Sequence, residues 1–426
     1  MKQQPAARSA AGTPRRSWRQ LATRTAKVSA AVLSATVVTV TAYGWSTAGT
    51  FDTGFLRSHA ITGDDPHSLD GDLNLLLIGL DTRRDQNGDE LPPEVLEPLH
   101  AGDGEQGGYN ANTLILVHIP ADLSKIVAVS IPRDDYVAVS GIPGHTHAKI
   151  KEAYGLKKAA VQDQLIAQGM TDKTELEQAG REAGRASTVK AVRDLTGVPI
   201  DRFAEITIAG FYDVAEALGG VEVCLNHAVQ DLEYSGADFP AGKQRLDPAQ
   251  ALAFVRQRHG LDNGDLDRTH RQQAFLTSVA GQLHSAGTLT DPGKLSALMD
   301  VAHRNIVLSD GWSMTDFVRT LSTANDPVVE FRTLPVVGYD VINGQDVNIV
   351  DKNAIRREVA TAFDLPVPPS VTTTTRGLGP RLDQLAEGGG SSYRPATAAA
   401  GTATETPDAG KPVRTDLTGG VVPCVN

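Results

Sequence analysis

Between Lys27 and Asp52 lie 24 consecutive residues without a charged side chain, and this stretch constrains the chain more than any other feature. About 20 apolar residues cross a bilayer core as a helix, so the length suffices for a transmembrane segment. It opens with Val28-Ser29-Ala30-Ala31-Val32-Leu33 and carries Tyr43 and Trp45 where an interfacial aromatic belt falls. Seven basic groups and no acid precede it, from Lys2 to Lys27, and such a basic flank stays cytoplasmic. The competing reading is a cleaved signal peptide, with Ser46-Thr47-Ala48 as its small-residue cleavage site. Both readings export the bulk of the chain. The expectation is a single-pass cell-membrane protein with a cytoplasmic N-terminus and an extracellular domain.

The charge is unevenly spread. The whole chain of 426 residues has a formal net charge of −11, although its first 27 residues are purely basic. The exported part is therefore strongly acidic. Nucleic-acid binding through counterion release needs clustered Lys and Arg, so no nucleic-acid partner is expected. Hydrophobic residues at 40% and charged residues at 21% are globular values. The two cysteines, Cys224 and Cys424, suit an oxidising compartment as one disulfide, against the alternative of two unpaired thiols.

Composition and patterning divide the chain into a basic cytoplasmic arm (1–27), a transmembrane anchor (28–51), a juxtamembrane linker (52–69), a folded domain (70–366) and a low-complexity extracellular tail (367–426). The tail is dominated by Pro, Thr, Gly, Ser and Ala, which bury too little surface to offset chain entropy. In the domain, Leu73-Asn74-Leu75-Leu76-Leu77-Ile78 reads as a buried strand closed by Gly79, and Thr113–Ile119 and Lys125–Ile131 as two more. Thr174-Glu175-Leu176-Glu177 reads as a capping box opening a helix that runs to about Leu195 and closes at Gly197. A strand over Phe203–Ile208, a helix over Phe211–Leu218 and a strand over Val221–Leu225 follow, and Asp247-Pro248 and Asp291-Pro292 mark helix starts. Apolar strands alternating with helices predict one α/β domain, a three-layer unit with a mixed central sheet and helices on both faces, preceded by one transmembrane helix.

Four charged clusters stand at predicted strand and helix ends: Gly79-Leu80-Asp81-Thr82-Arg83-Arg84; Ser130-Ile131-Pro132-Arg133-Asp134-Asp135; Arg256-Gln257-Arg258; and Asp265-Leu266-Asp267-Arg268-Thr269-His270-Arg271-Gln272. Ligands of open α/β sheets bind beyond strand ends. On a helix starting near Asp267, Arg268, Arg271 and Gln272 stand at i, i+3 and i+4 beside a helix N-terminus, a setting for bidentate anion contact. Arg256 and Arg258 share a face only if their segment is extended. Several arginines with a carboxylate such as Asp81 suit a diphosphate with Mg²⁺. The bland alternative is a set of solvated Arg–Asp pairs. His145-Thr146-His147 lacks the companions of a metal site and reads as part of a turn region after Pro143-Gly144.

The chain resembles the LytR–CpsA–Psr family of membrane-anchored cell-wall glycopolymer ligases. The resemblance rests on Asn74–Arg83, Ser130–Asp134, His147–Ile150 through Ala153–Gly155, Ala217–Val221, and Ala251–Arg258 through Arg271-Gln272, five motifs in the family's order. It implies transfer of a polymer from a polyprenyl-diphosphate carrier to a peptidoglycan hydroxyl through a phosphodiester, with an apolar tunnel for the lipid. It further implies Asp81 as a Mg²⁺ ligand; Arg83, Arg133, Arg256, Arg258, Arg268, Arg271 and Gln272 on the diphosphate; and Arg133, Asp265 and Arg268 at the chemical step. The family's second motif, Arg-Ser-Asp-Thr, reads Asn110-Ala111-Asn112-Thr113 here, which leaves Asn112 as the second Mg²⁺ ligand, an amide oxygen that can ligate but without the charge of the expected carboxylate. Two other readings stay open: a polyprenyl-diphosphate hydrolase using the same site, and a non-catalytic wall-binding or regulatory anchor.

Overall fold

The computed structural model describes residues 52–367 and 422–426, except 70, 87, 92, 98–107, 263, 286–291 and 323–327. The basic arm, the proposed anchor, most of the tail and Asp291 lie outside the described residues. Among the described residues, no helix is long and apolar enough to cross a membrane.

The strands are β1 (Leu56–Ser58), β2 (Leu73–Asp81), β3 (Asn110–Ile119), β4 (Lys125–Ser130), β5 (Tyr136–Ile142), β6 (His145–Lys149), β7 (Arg202–Thr207) and β8 (Val221–Leu225). They continue with β9 (Val229–Asp231), β10 (Ala237–Phe239), β11 (Gly242–Leu246), β12 (Ile306–Ser309), β13 (Val328–Thr333), β14 (Gly338–Ile342), β15 (Gln345–Ile349) and β16 (Cys424–Val425). The main helices are α1 (Glu152–Ala167), α2 (Lys173–Thr196), α3 (Ile208–Ala217) and α4 (Pro248–Arg256), then α5 (Asp265–Ser285), α6 (Pro292–Asn305), α7 (Met314–Ser322) and α8 (Lys352–Ala362). Seven strands form a mixed sheet in the order β1-β12-β7-β2-β3-β4-β13. β2 lies parallel to β7 and antiparallel to β3.

The unbroken apolar run in β2 is what burial on both faces requires. Leu75, Ile115 and Val117 pack with residues of α3 to α7 on one face. Leu76, Ile78, Leu114 and Leu116 pack with residues of α1, α2 and α8 on the other. Each fully buried Leu or Ile contributes about 1.5–3 kcal/mol on this accounting. The expected layers are therefore present, with cores on both sides of the sheet.

Several local signals act as expected. Asp247 caps α4 in a full capping box with Gln250, and Gly197 closes α2 at a φ of 81°. α2 starts earlier than its Thr-x-x-Glu pattern suggests, because Asp172 accepts from the Glu175 N–H and takes the cap. Thr207 likewise caps α3 and brings its start forward to Ile208. The segment 52–69, expected as a linker, supplies β1, which pairs in parallel with β12. Three residues are too few to leave an alternation pattern. At the far end, Cys424 is disulfide-bonded to Cys224, and β16 adds in parallel to β8.

Candidate functional site

A cavity of about 400 Å³ opens on the α3–α7 face of the sheet. Leu77, Ile115 and Ala204 from the strands, with Phe211, Val214, Leu252 and Phe275 from the helices, make its walls apolar. Its other end is polar. There Asp81, Asn112, Arg133, Arg256, Arg258, Arg268 and Gln272 all face the same space.

A break in the ladder between β2 and β3 shapes this end. Gly79 pairs with Thr113 and Leu80 with Ala111, so Asn112 is the extra residue of a β-bulge. A bulge re-aims the side chain it carries. A Cβ on Gly79 would stand 2.8 Å from Thr113 Cβ, so the strands approach here as only glycine permits. Asn112 then bridges two charges: its Nδ2 donates to Asp81 Oδ2 at 2.7 Å, and its Oδ1 accepts from Arg133 Nη1 at 2.6 Å. Arg83 Nη1 donates to the other oxygen of Asp81 at 3.1 Å.

The second cluster continues the network. Arg133 Nε lies 3.4 Å from both Asp134 Oδ2 and Asp265 Oδ1. Asp265, at the start of α5, pairs with Arg268 one turn on, at 3.0 Å, and Arg268 Nη2 also donates to the carbonyl oxygen of Asn112. Among the described residues, the Nε of Arg268 is buried without a hydrogen-bond acceptor, and that of Arg133 has only the two carboxylates at 3.4 Å, neither in hydrogen-bond geometry. Buried guanidinium N–H groups lacking acceptors favour an anion. Burial lowers the Arg268 guanidinium to about 10, which leaves it charged at neutral pH. Arg256 is also lowered by burial, with Asp81 opposing the shift. Burial raises the Asp134 carboxyl, but Arg133, Lys151 and Lys149 outweigh it and hold the group below the usual range.

The structure thus gathers most of the residues singled out in the sequence. Arg256 ends α4, Gln257 is extended, and Arg258 is exposed at the mouth, so the two arginines do line one space. Arg83 reaches the network through Asp81, and Asp265 through the arginines it pairs with. Arg271 does not join them. Successive α-helical residues turn about 100°, so Arg271 falls well away from Gln272 around the helix axis. Its side chain is fully buried and bonded to Gln257 and Asn426.

Asp81 with the oxygens of a diphosphate suits Mg²⁺, which commonly takes one or two carboxylates plus substrate phosphates. Asn112 as placed does not add a ligand, because its oxygen is turned to Arg133. Among the described residues, no three His, Cys, Asp or Glu side chains converge as a metal site.

Two features had no clear sequence signal. Arg185 on α2 and Glu205 on β7 form a buried pair with two contacts of 2.9 Å, and Glu205 sits in the cavity floor. Asp135 is fully buried behind Arg133, with Oδ1 accepting from Asn348 Nδ2 and Oδ2 without a partner. Burial, reinforced by Asp265 and Asp134 against the Asn348 bond, raises its carboxyl well above 3.8. Between the unfolded and folded values the native state binds more protons, so this group lowers stability as pH rises. Asp135→Asn is therefore expected to raise Tm at pH 7 and leave it unchanged below about pH 3.5. Thermal melts across that range check this; an equal shift at both ends would contradict it.

The LytR_cpsA_psr family model matches residues 47–362. The chain is 43% identical over 293 residues to the cell wall biosynthesis protein LcpA of Corynebacterium glutamicum, an alignment covering 68% of this chain and 55% of that protein. It is 28% identical over 286 residues to the polyisoprenyl-teichoic acid–peptidoglycan teichoic acid transferase TagU of Oceanobacillus iheyensis, covering 67% and 73%. The chain thus spans little more than half the length of LcpA. Among solved structures, protein gbs0355 of Streptococcus agalactiae superposes with a TM-score of 0.50 at 19% identity, covering 70% of this chain and 89% of that one, a likeness of fold. Since the matched residues hold every strand of the central sheet and every polar residue at the mouth of the cavity, the chain belongs to the LytR–CpsA–Psr family.

Proposed function

We propose that this protein transfers a glycopolymer from a polyprenyl-diphosphate carrier to peptidoglycan, forming a phosphodiester bond. One observation carries the reading: an apolar cavity ends in converging arginines, which is complementary to an amphiphile with an apolar tail and a diphosphate head. TagU, a relative at 28% identity, is named for a transfer of this kind, which supports the same chemistry here. The acceptor hydroxyl attacks the phosphorus bearing the glycan, the bond to the bridging oxygen breaks, and polyprenyl phosphate departs with that oxygen, the hydroxyl proton leaving to solvent or on the departing phosphate. Phosphoryl transfer needs positioning and charge neutralisation above all. Arg133 and Arg268 hold the phosphate oxygens, Arg83, Arg256, Arg258 and Gln272 surround the diphosphate, and Asp265 fixes the two inner arginines. Mg²⁺ bound at Asp81 would supply further positive charge. In the same reading, residues 28–51 anchor the chain in the membrane with the domain outside, which keeps the site beside a substrate confined to the bilayer.

The test is a transfer assay with a polyprenyl-diphosphate glycan, a peptidoglycan oligomer, and either Mg²⁺ or a chelator. Glycan on the oligomer together with released polyprenyl phosphate is the expected result. Lipid phosphate without attachment identifies a hydrolase, and binding without bond cleavage overturns catalysis. A chelator that leaves the rate unchanged removes Mg²⁺ from the proposal.

A further inference from the structure

Arg271 is a fully buried guanidinium that does not reach the cavity, and its partners come from two distant parts of the chain. Its Nη1 donates to Gln257 Oε1 at 2.6 Å, and its Nε to the carbonyl oxygen of Asn426 at 2.6 Å. The guanidinium also lies over the Phe254 ring, 5.1 Å from its centroid. Gln257 is itself fully buried, and its Nε2 donates to the carbonyl oxygen of His259 at 3.0 Å. Both ends of that amide are therefore used. One holds the residue to α5, and the other folds the loop back on itself between the two cavity arginines, Arg256 and Arg258.

The Asn426 end is fastened separately. The Cys224–Cys424 bond and the parallel pairing of β16 with β8 hold residues 424–425. Asn226 N donates to Val425 O at 2.8 Å, and Asn226 Nδ2 to Asn426 Oδ1 at 2.9 Å. Arg271 thus sits between a loop that carries two cavity arginines and a strand about 150 positions further along the sequence.

We propose that Arg271 is a positioning residue for the donor site, and that the strand at Cys424–Val425 is part of that site's support: through Arg271 and Gln257 it sets where Arg256 and Arg258 stand. Without Asn426, the buried guanidinium loses an acceptor, and its grip on Gln257 competes with water. Without Arg271, the Gln257 side chain keeps only its His259 bond, and the loop beyond the backbone bond from Gln257 N to Ala253 O is free to shift. A displacement of about 1 Å in a binding group can cost 10²-fold, so an effect at this remove need not be small.

This inference rests on the diphosphate reading above for its functional consequence, but not for its structural one, and the experiment separates them. Three altered proteins are compared with the wild type: Arg271→Lys, which keeps the charge but loses the fork; Cys424→Ser; and a chain ended at residue 421. Arg332→Ala, on the far edge of the sheet, controls for general destabilisation. Amide hydrogen exchange at residues 256–260 is the first readout, and binding of farnesyl diphosphate the second. Faster exchange in that loop, with farnesyl diphosphate affinity down about 10- to 100-fold, is expected for all three and not for Arg332→Ala. Cys424→Ser and the shortened chain keep the test open if Arg271→Lys fails to fold. Unchanged loop exchange in folded Arg271→Lys and in the shortened chain overturns the proposal. If the wild type binds no farnesyl diphosphate, the donor assignment fails, and the exchange readout still decides the positioning role.

Discussion

Arg268→Ala is expected to lower polymer transfer by about 10³-fold while the protein stays folded. The guanidinium is buried at the polar end of the cavity, its Nε lacks an acceptor, and its other contacts are Asp265 and the carbonyl oxygen of Asn112. Those contacts orient the group and leave its Nε N–H without an acceptor beside the cavity, available to a bound phosphate. Losing a preorganised donor of this kind costs transition-state stabilisation that water does not replace. Folding survives because Asp265 keeps Arg133 at 3.4 Å. Arg268→Lys is expected to recover part of the rate, since an ammonium restores charge without the planar fork. The measurements are kcat and KM for the lipid-linked donor beside a thermal melt. A folded Arg268→Ala protein within tenfold of wild type would remove this residue from the chemical step. The same assay on Arg133→Ala is expected to show a loss of similar order, with Asn112 also released from its bridge.

The second large effect is on stability. Arg185→Ala is expected to cost about 3–5 kcal/mol, because it strands the Glu205 carboxylate in the middle of the sheet. Glu205 has no exposed surface, and both of its oxygens are held by Arg185 at 2.9 Å. Burial by itself lowers the Arg185 guanidinium, but Glu205, Tyr154 and Glu182 outweigh it and raise the group. For a domain of this size, the loss corresponds to roughly 10 °C in Tm. Arg185→Met with Glu205→Leu is expected to regain much of it, since an apolar pair leaves no charge unpaired. Urea denaturation of the single and double variants checks both statements. A single-variant cost below about 1 kcal/mol would mean that Glu205 finds solvent or another partner once Arg185 is gone.

Legibility of the sequence followed the range of the forces involved. β2, β4, β8 and the cap of α4 were readable because apolar runs and Asp-Pro starts act over a few residues. Arg256 and Arg258 were readable as a conditional: they share a space if Gln257 is extended, and it is. The bulge was not readable. Nothing in Asn110-Ala111-Asn112-Thr113 says that Asn112 is skipped by the ladder, because that depends on how β2 meets β3. Asn112 therefore looked like a weakened metal ligand, whereas its place between Asp81 and Arg133 is that of a neutral spacer between opposite charges. Arg271 shows the same limit. The i, i+3, i+4 pattern put it with Arg268 and Gln272, but its orientation is settled by Gln257 and by a strand far along the chain. The Arg185–Glu205 pair joins a helix and a strand that no local pattern connects.

The strand order also bears on how the molecule is made. β1 pairs with β12 and β4 with β13, so each edge of the sheet waits for a segment made some 200 or more residues later. Long-range pairing of this kind must meet loop-closure entropy before its contacts form, and it slows folding. Until β13 has emerged from the ribosome, β4 presents an open edge of apolar residues to any neighbouring chain. A nascent chain stalled before Val328 would thus be prone to aggregate even if every helix were formed.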